Sequence, residues 1–438
     1  MIETLLAAPV IVKVLAALLL ILVVNSFCKH LTVSVAVAAL VLGIWCGHSW
    51  SGMARIAWER FASADSFLLM LLVLQVIWLS SQMSATGMMD DLVAAVRARV
   101  SQRGAMAVLP AVIGLLPMPG GALFSAPLVD SSDSGATSAG LKAQTNHWFR
   151  HVWEYWWPLY PGVLLAMQLT RLEVWQFMLV GVPLSLCAIA AGWFFLLRRI
   201  GRGAAATAAA QPGRSAGFLR LAVPFVVIVG CYTAVRVGYA AMARARVGLP
   251  EMNSYVPIVI GIYWAMAVLQ RQRPLGRSQW REIIFSRRAL SMAVVVAVVQ
   301  VYGAFIQSNL PGGQPLVARM RWEMAEWGIP LLAIAMIVPL VSGLGTGLSV
   351  GFVGASFPIV LSLLGKDPSL GALLYTTALA YGFGFIGMLL SPVHVCLVVC
   401  SEHFHTRVVG NIVGMLKPAA AVLAFTVAFS LALKWLLP

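Results

Sequence analysis

The sequence predicts an all-helical protein that crosses a membrane many times, and three observations predict this class. Of its 438 residues, 61% are hydrophobic and only 10% are charged, and the mean hydropathy is +0.89. Apolar runs of about twenty residues recur from end to end, and each is long enough to cross a hydrocarbon core of about 30 Å. No long polar block separates these runs, so we expect no soluble catalytic domain and no enzymatic activity.

The positive charge lies between the apolar runs. The formal net charge is +15, and the arginines occupy mostly short loops, as the positive-inside bias predicts for a membrane protein. No basic module stands apart from the spans, so we expect no nucleic-acid partner. The two most basic loops, 198–220 and 271–288, are predicted to be cytoplasmic. This orientation places both termini in the periplasm and the protein in a bacterial inner membrane, surrounded by the lipid bilayer.

The predicted elements fall into two halves with the same order of parts. Each half contains three spans, a re-entrant hairpin, a broken helix and a final span, which gives about ten transmembrane helices in all. The first half is 1–197, a basic hydrophilic linker covers 198–216, and the second half is 217–438. The predicted spans lie near 6–26, 31–49, 66–84, 173–197, 217–238, 254–270, 289–309 and 410–436, the hairpins are 104–130 and 327–364, and the broken helices are 138–170 and 369–402. The loop charges give the two halves opposite topology, and inverted repeats of this kind are typical of secondary transporters.

Both hairpins are interrupted by residues that do not favour a helix. The first contains Pro117-Met118-Pro119-Gly120-Gly121, and the second contains Ser342-Gly343-Leu344-Gly345-Thr346-Gly347. Such breaks are tolerated in lipid only where protein or a water-filled cavity satisfies the freed backbone groups, so we predict that both tips bind substrate. The predicted substrate-binding residues are Pro119, Gly120, Gly121, Ser125, Tyr160, Ser342, Gly345, Thr346, Gly347, Ser349 and Ser391. The alternative is an ordinary kinked span whose glycines serve tight packing and whose hydroxyls bond within their own helix.

The ends of the half-helices carry partial charges. The free N–H groups of the helix that follows Gly121 suit a carboxylate or a phosphate, and the free carbonyls near Pro117 suit Na⁺. Arg150 could also attract an anion, but an arginine at a membrane interface usually extends its charged end to water.

The broken helices carry the ionisable side chains. His147, His151 and Glu154 share one face of a helix, and His394 follows Pro392 by two residues in an apolar run. Ionisable groups inside membrane segments are functional candidates, and we predict that Glu154, His151 and His394 couple transport to an ion or a proton. His147, His151 and Glu154 also have the chemistry of metal ligands, but interfacial anchoring by the neighbouring tryptophans explains much of this composition. We therefore expect no bound metal.

At these motifs the sequence resembles a known membrane-protein family. The residues that carry the resemblance are Pro117–Gly121 with Phe124-Ser125-Ala126-Pro127, the run Asn146–Pro158, Gly345-Thr346-Gly347-Leu348, and Leu390-Ser391-Pro392-Val393-His394-Val395-Cys396-Leu397. Together they resemble the bacterial and archaeal family called domain of unknown function 401. That family is similar to gluconate and C4-dicarboxylate permeases of the ion transporter superfamily. The resemblance implies a dimerising scaffold, an elevator-type transport domain, and hairpin tips and broken helices that line the site.

The sequence therefore predicts an ion-coupled secondary transporter of a small organic anion, which works as a homodimer by elevator-type alternating access. Na⁺ or H⁺ is the expected coupling ion, and no other cofactor is expected. A first alternative is a cation/proton antiporter on the same scaffold, which needs an acidic residue at the midplane; Glu154 is the one plausible residue for this role, and Asp130 lies near the foot of a hairpin. A second alternative is a lipid-phosphate flippase, which would need a groove open to lipid.

Overall fold

The computed structural model describes residues 8–97, 100–115, 121–133, 135, 137–201, 218–245, 252–253, 255–365 and 367–437. Apart from one isolated bridge between Asn309 and Pro315, these ranges consist of helices, turns and loops. The predicted all-helical class is confirmed. Most of the predicted linker 198–216 lies outside the described residues.

The first half contains ten described α-helices. In chain order they are α1 (Val10–Cys28), α2 (Leu31–Trp45), α3 (Trp50–Phe61), α4 (Ala64–Ala85), α5 (Met88–Arg97), α6 (Gln102–Gly114), α7 (Ala122–Asp130), α8 (Ala139–Arg150), α9 (Pro161–Thr170) and α10 (Val174–Phe195). One 3₁₀ turn, Leu197–Arg199, follows α10.

The second half repeats this order among its described residues. Its helices are α11 (Phe218–Arg244), α12 (Val256–Gln272), α13 (Arg277–Ile284), α14 (Arg287–Gln307), α15 (Leu316–Glu326), α16 (Leu331–Thr346), α17 (Ser349–Ser362), α18 (Leu370–Leu389), α19 (Val395–His403) and α20 (Val408–Leu436). The correspondence extends to helix caps. Both α8 and α18 begin after a serine, Ser138 or Ser369, whose hydroxyl accepts a bond from a backbone N–H of the first turn.

The contacts between helices also correspond between the halves. Helix α7 packs against α19, and the equivalent pair α17 and α9 packs in the same way. Helix α2 packs against α14, as α12 packs against α4. The equivalent helices α4 and α14 contact each other, and so do α10 and α20. Each of the first two contacts therefore has a counterpart between helices at the same ordinal positions of the two halves.

Seven helices in the described ranges are long and apolar enough to cross a membrane. They are Val10–Cys28, Ala64–Ala85, Val174–Arg199, Val223–Arg244, Arg277–Gln307, Leu370–Leu389 and Val408–Leu436. An eighth results if α15 and α16, which meet at 114°, count as one span. The chain is thus a multi-pass membrane protein. The number is below the ten that the sequence predicts because α2 and α12 have only 15 and 17 residues and one broken helix is divided into short pieces.

Both predicted hairpins consist of two packed helices. Helix α6 contacts α7, and α16 contacts α17. The first break lies between Gly114 and Ala122, and residues 116–120 within it are outside the described part. The second break is shorter than predicted, because α16 continues through Ser342–Thr346 and only Gly347 and Leu348 separate it from α17.

The first broken helix ends earlier than the sequence predicts. Pro158 suggests a break at 157–162, whereas α8 ends at Arg150 and a series of turns leads to α9. Side chains of this turn segment bind α6, because the indoles of Trp153 and Trp157 donate to the carbonyls of Ala111 and Leu115 at 2.8 and 3.1 Å. These tryptophans therefore hold the first hairpin against the broken helix.

The second hairpin packs on its broken helix through glycines. Gly343 of α16 faces the backbone of Gly384 and Met388 in α18, and Gly387 faces the backbone of Leu340. A side chain at Gly343 or Gly387 would meet main-chain atoms of the opposing helix. The close approach fixes α18 beside the hairpin, so that the residues after Leu389 emerge near Gly347.

Candidate binding cavity

A cavity of about 80 Å³ lies where the two broken helices meet the second hairpin. Its walls come from both halves of the chain, because residues 150–161 form one side and residues 348–350 and 388–396 form the other. The polar side chains that line it are Arg150, His151, Glu154, Tyr160, Ser349, His394 and Cys396. Apolar side chains of α4 and α14, Ile77 and Met292, close the remaining sides.

Three buried histidines form a cluster at this cavity. His147 and His151 come from the end of α8, and His394 precedes α19. The ring centroids lie 4.7, 4.9 and 5.2 Å apart, and one ring nitrogen of each histidine lies within 4.8 Å of those of the other two. The cluster therefore joins the breaks of the two halves.

Each of these histidines is bonded through one nitrogen to a backbone carbonyl. The bonds run from His147 Nε2 to Leu389 at 2.9 Å, from His151 Nδ1 to His147 at 2.6 Å, and from His394 Nδ1 to Gly347 at 2.6 Å. A carbonyl oxygen only accepts, so each of these nitrogens carries the hydrogen. In the neutral ring, the other nitrogen of each histidine is then a bare lone pair.

Two of these lone pairs face each other. His151 Nε2 and His394 Nε2 are 3.1 Å apart, a hydrogen-bonding distance between two atoms that are both acceptors in the neutral rings. The third, Nδ1 of His147, is buried and has no hydrogen-bond partner among the described residues. Donors reach two of the three acceptors, because Arg150 Nη1 lies 3.4 Å from His151 Nε2 and the Cys396 thiol bonds to His151 and His394, whereas His147 Nδ1 has no partner among the described residues.

Arg150 places a fixed positive charge beside the histidines. Arg150 is only 2% exposed, and its Nη1 atom lies 3.4 Å from His151 Nε2. The guanidinium fills the space beside the Cα of Gly121, the residue that precedes α7. Arg150 therefore lies inside the protein at the first hairpin, and its expected position at the membrane surface is wrong.

Glu154 supplies the negative charge of the cavity. Glu154 is 6% exposed, and its Oε1 atom lies 3.8 Å from His151 Nε2. The buried hydroxyl of Tyr381 donates to the Glu154 backbone carbonyl at 2.8 Å, which fixes the turn that carries the carboxylate. Tyr160 is held in a similar way, since its hydroxyl donates to the Gly114 carbonyl of α6.

Four helix N-termini surround this group of side chains. Tyr160 and Pro161 begin α9, Leu348 and Ser349 begin α17, and His394 begins α19, and all of them line the cavity. The fourth, the start of α7, lies against Arg150 through Gly121. Each N-terminus carries free N–H groups and about half a positive charge. The elements that begin here are the second helices of both hairpins and of both broken helices.

The predicted residues divide into those that line the cavity and those that do not. The first group contains Tyr160, Ser349, His151, Glu154 and His394. Gly121 lies against the Arg150 guanidinium, and the Gly347 carbonyl accepts the bond that His394 donates. Both glycines therefore contact these side chains without lining the cavity. Pro119 and Gly120 lie outside the described residues.

The remaining predicted residues point into helices rather than into the cavity. The hydroxyls of Ser342 and Thr346 donate to carbonyls four residues earlier, at 2.7 Å each. Gly345 faces the side chain of Leu22 in α1. The Ser391 hydroxyl donates to the Leu344 carbonyl at 2.6 Å and so ties the second break to the hairpin.

Ser125 is fully buried in α7, and its hydroxyl has no hydrogen-bond partner in the described part of the chain. It does not line the cavity.

Three residues of the cavity or of the histidine cluster were not predicted as site residues. They are Arg150 and Cys396, which line the cavity, and His147 of the cluster. The helical spacing of His147 and His151 is a usable signal, because residues four apart share a helix face. No local pattern connects either histidine to His394 or Cys396, which lie more than 240 residues later.

A comparison with protein families agrees with the resemblance. The model of the family described as "Protein of unknown function (DUF401)" matches residues 11–210 and 258–435. No curated protein matches the chain. Because the matched segments cover most of its length, the chain belongs to the DUF401 family.

Proposed function

We propose that the protein is an ion-coupled secondary transporter that carries a small organic anion by elevator-type alternating access. One observation carries the proposal: a buried arginine, Arg150, lies at a cavity on which helix N-termini of both halves converge.

The charges around the cavity favour an anion. Glu154 offsets the positive charge of Arg150, and the helix N-termini then leave the site with a net positive field of about half a charge each. Free N–H groups of a helix start bind carboxylate and phosphate oxygens directly, and a guanidinium binds such groups through paired hydrogen bonds. Ser349 and Tyr160 stand beside them in the cavity wall, although the Tyr160 hydroxyl donates to the Gly114 carbonyl.

The size of the cavity favours a small substrate. A volume of about 80 Å³ accommodates a few heavy atoms and is far too small for a lipid tail. The flippase alternative needs a groove that opens to the bilayer, whereas the polar residues of this cavity are buried within the helices. The size therefore supports a small anion over a lipid phosphate.

The correspondence of the two halves supports alternating access. Equivalent helices follow the same order, exchange their packing partners, and both contribute to the cavity. In secondary transporters, sites of this kind lie between inverted repeats, and the two repeats move relative to each other. The inverted orientation, the periplasmic termini, the inner-membrane location and the homodimer belong to this same proposal.

The cation/proton antiporter is the rival function, and it needs an acidic residue at the site. Asp130 forms an ion pair with Lys142 at 2.7 Å and is half exposed, whereas Glu154 lines the cavity. Sodium flux driven by a pH gradient in liposomes, without any organic anion present, would favour the antiporter. Flux that requires an anion favours the proposal.

The proposal is tested by a thermal-shift screen of the purified protein against small organic anions, with and without Na⁺, at two pH values. A ligand at a hundred times its Kd stabilises the folded state by about 2.7 kcal/mol. Arg150→Gln should weaken the effective anion by at least about 2 kcal/mol, or about 30-fold, because a buried charge loses its partner. Arg55→Gln is the matched control, since the Arg55 side chain is 76% exposed and pairs only loosely with Glu59 at 3.9 Å.

Two results would refute this assignment. One is the absence of a shift with every anion, while Na⁺ or pH alone stabilises the protein. The other is a shift of equal size in Arg150→Gln and in the wild type. Because a loss of binding could reflect misfolding, Arg150→Lys serves as a second variant: it keeps the charge and should retain part of the shift.

A further inference from the structure

We propose that His147, His151 and His394 form a binding site for one transition-metal ion of the Zn²⁺ type. The site is independent of the anion proposal, because it rests on the hydrogen bonds of the three imidazoles and not on transport. Its ligands come from the breaks of both halves, so a bound ion would link α8 to the start of α19.

The hydrogen bonds orient all three rings as metal ligands. A histidine that binds a metal almost always donates its other ring N–H to a carbonyl, a carboxylate or water, which fixes the ring and its tautomer. Here all three rings donate to backbone carbonyls, those of Leu389, His147 and Gly347. Backbone carbonyls cannot rotate away, so the arrangement exists before any ion binds.

The atoms left over are those that a cation would satisfy. His147 Nδ1 is a buried acceptor without a partner among the described residues. His151 Nε2 and His394 Nε2 are two lone pairs 3.1 Å apart, and the donors near them are Arg150 Nη1, 3.4 Å from His151 Nε2, and the Cys396 thiol, which bonds to both rings. A single ion that accepts all three lone pairs would give His147 Nδ1 a partner and would also bind the two facing Nε2 atoms.

The spacing is close to that of a tetrahedral site. Zn–N bonds of about 2.0–2.1 Å at tetrahedral angles place neighbouring nitrogens about 3.3 Å apart. The bare nitrogens of His151 and His394 are already 3.1 Å apart, and one ring nitrogen of each of the three histidines lies within 4.8 Å of those of the other two. A tetrahedral ion has a fourth ligand position besides the three imidazoles. The Glu154 carboxylate, 3.8 Å from His151 Nε2, can occupy that position or balance the charge of the ion.

Three imidazoles select the class of metal. Imidazole suits Zn²⁺, Cu²⁺, Ni²⁺ and Co²⁺, whereas Mg²⁺ and Ca²⁺ require a shell of oxygen atoms. The Arg150 guanidinium competes for the site, since its NH1 is 3.4 Å from the His151 lone pair. Removal of this charge should therefore tighten metal binding, whereas the same change should weaken anion binding.

The first test uses the full-length protein in detergent after treatment with a chelator. Co²⁺ should bind at one ion per chain with the intense visible absorption of a tetrahedral site, and Zn²⁺ should displace it. His147→Gln and His394→Gln should weaken Co²⁺ by more than the 10–100-fold that loss of a supporting contact alone causes. His403→Gln is the matched control, because His403 is exposed at the end of α19 and should leave the affinity unchanged.

The second test avoids variants that fail to fold. X-ray absorption of the Zn²⁺-loaded wild type should give a shell with three imidazole nitrogens. Absence of Co²⁺ binding at millimolar concentration, a sulfur-dominated shell, or equal affinity in the histidine variants and the control would overturn the site. In Arg150→Gln, loss of the anion shift with retained or tighter Co²⁺ binding supports both proposals. Retained anion shift refutes only the anion site, and failure of Co²⁺ to bind the wild type refutes only the metal site.

Discussion

Gly347→Ala is expected to destabilise the protein and to loosen the histidine cluster at the same time. Gly347 ends α16 in the left-handed conformation, with φ of +62°, and its carbonyl accepts the bond from His394 Nδ1. The left-handed conformation costs a residue with a Cβ about 1–2 kcal/mol. A Cβ at this position would also lie 3.0 and 3.1 Å from backbone atoms of His394 and Val393, and such crowding costs about 1–3 kcal/mol.

A second glycine separates these two costs. Gly328, in the turn before α16, has φ of +64° but no atom within 4 Å of the position of a Cβ. Gly328→Ala should therefore lose only the conformational part, about 1–2 kcal/mol, whereas Gly347→Ala should lose about 2–5 kcal/mol. Denaturant unfolding in detergent, followed by circular dichroism, measures the difference in the free energy of unfolding.

The same pair of variants reports on the site. Displacement of the Gly347 carbonyl frees the His394 ring, so Gly347→Ala should bind Co²⁺ about 10–100-fold more weakly, and Gly328→Ala should bind it as the wild type does. The reasoning is refuted if both variants lose the same stability, because the contact with His394 would then carry no cost. Unchanged Co²⁺ affinity in Gly347→Ala would refute the orienting role of its carbonyl.

Two further predictions concern a buried hydrogen bond and an acidic loop. Tyr381→Phe removes the donor to the Glu154 carbonyl and should cost about 1–3 kcal/mol of unfolding free energy, because a buried acceptor is left unpaired; no loss would mean that another donor replaces it. In the loop after α7, partial burial raises the pKa of Asp133, but the hydrogen bonds from Thr137 and Lys142 outweigh it and leave that pKa below its ordinary value. The ionised Asp133 therefore stabilises the fold above about pH 4, and this contribution is lost as the pH falls through the lowered pKa. Asp133→Asn should flatten the acid side of the curve of stability against pH, and an unaltered curve would count against the assignment.

Much of the architecture could be predicted from local sequence because it depends on local chemistry. Apolar runs of membrane-spanning length predict the helices, and the prolines and glycines predict that both hairpins are interrupted. The position of each break was less accessible. Helix α8 ends seven residues before the predicted break, and in the turns that follow it the indoles of Trp153 and Trp157 bond to backbone carbonyls of Ala111 and Leu115. No local pattern identifies these partners.

The site could be predicted only in part. Glu154, His151 and His394 were identifiable because ionisable residues are rare in apolar segments. Arg150 was not, since an arginine near a tryptophan cluster has the same local pattern at a membrane surface and in a core. Packing of α6 and α7 over the end of α8 buries it. Ser342 and Thr346 have hydroxyls that suit a substrate, but the helix continues through them and their bonds turn inward.

The sequence by itself determined the membrane environment and the helical class, because hydrophobicity and helix-breaking residues act within a few turns. Only the tertiary structure decided which polar atoms meet. The bare nitrogens of His151 and His394, 243 residues apart, face each other because the backbone carbonyls of His147 and Gly347 hold the two rings. Such an arrangement depends on how two distant breaks pack together, and composition and spacing carry no information about that packing.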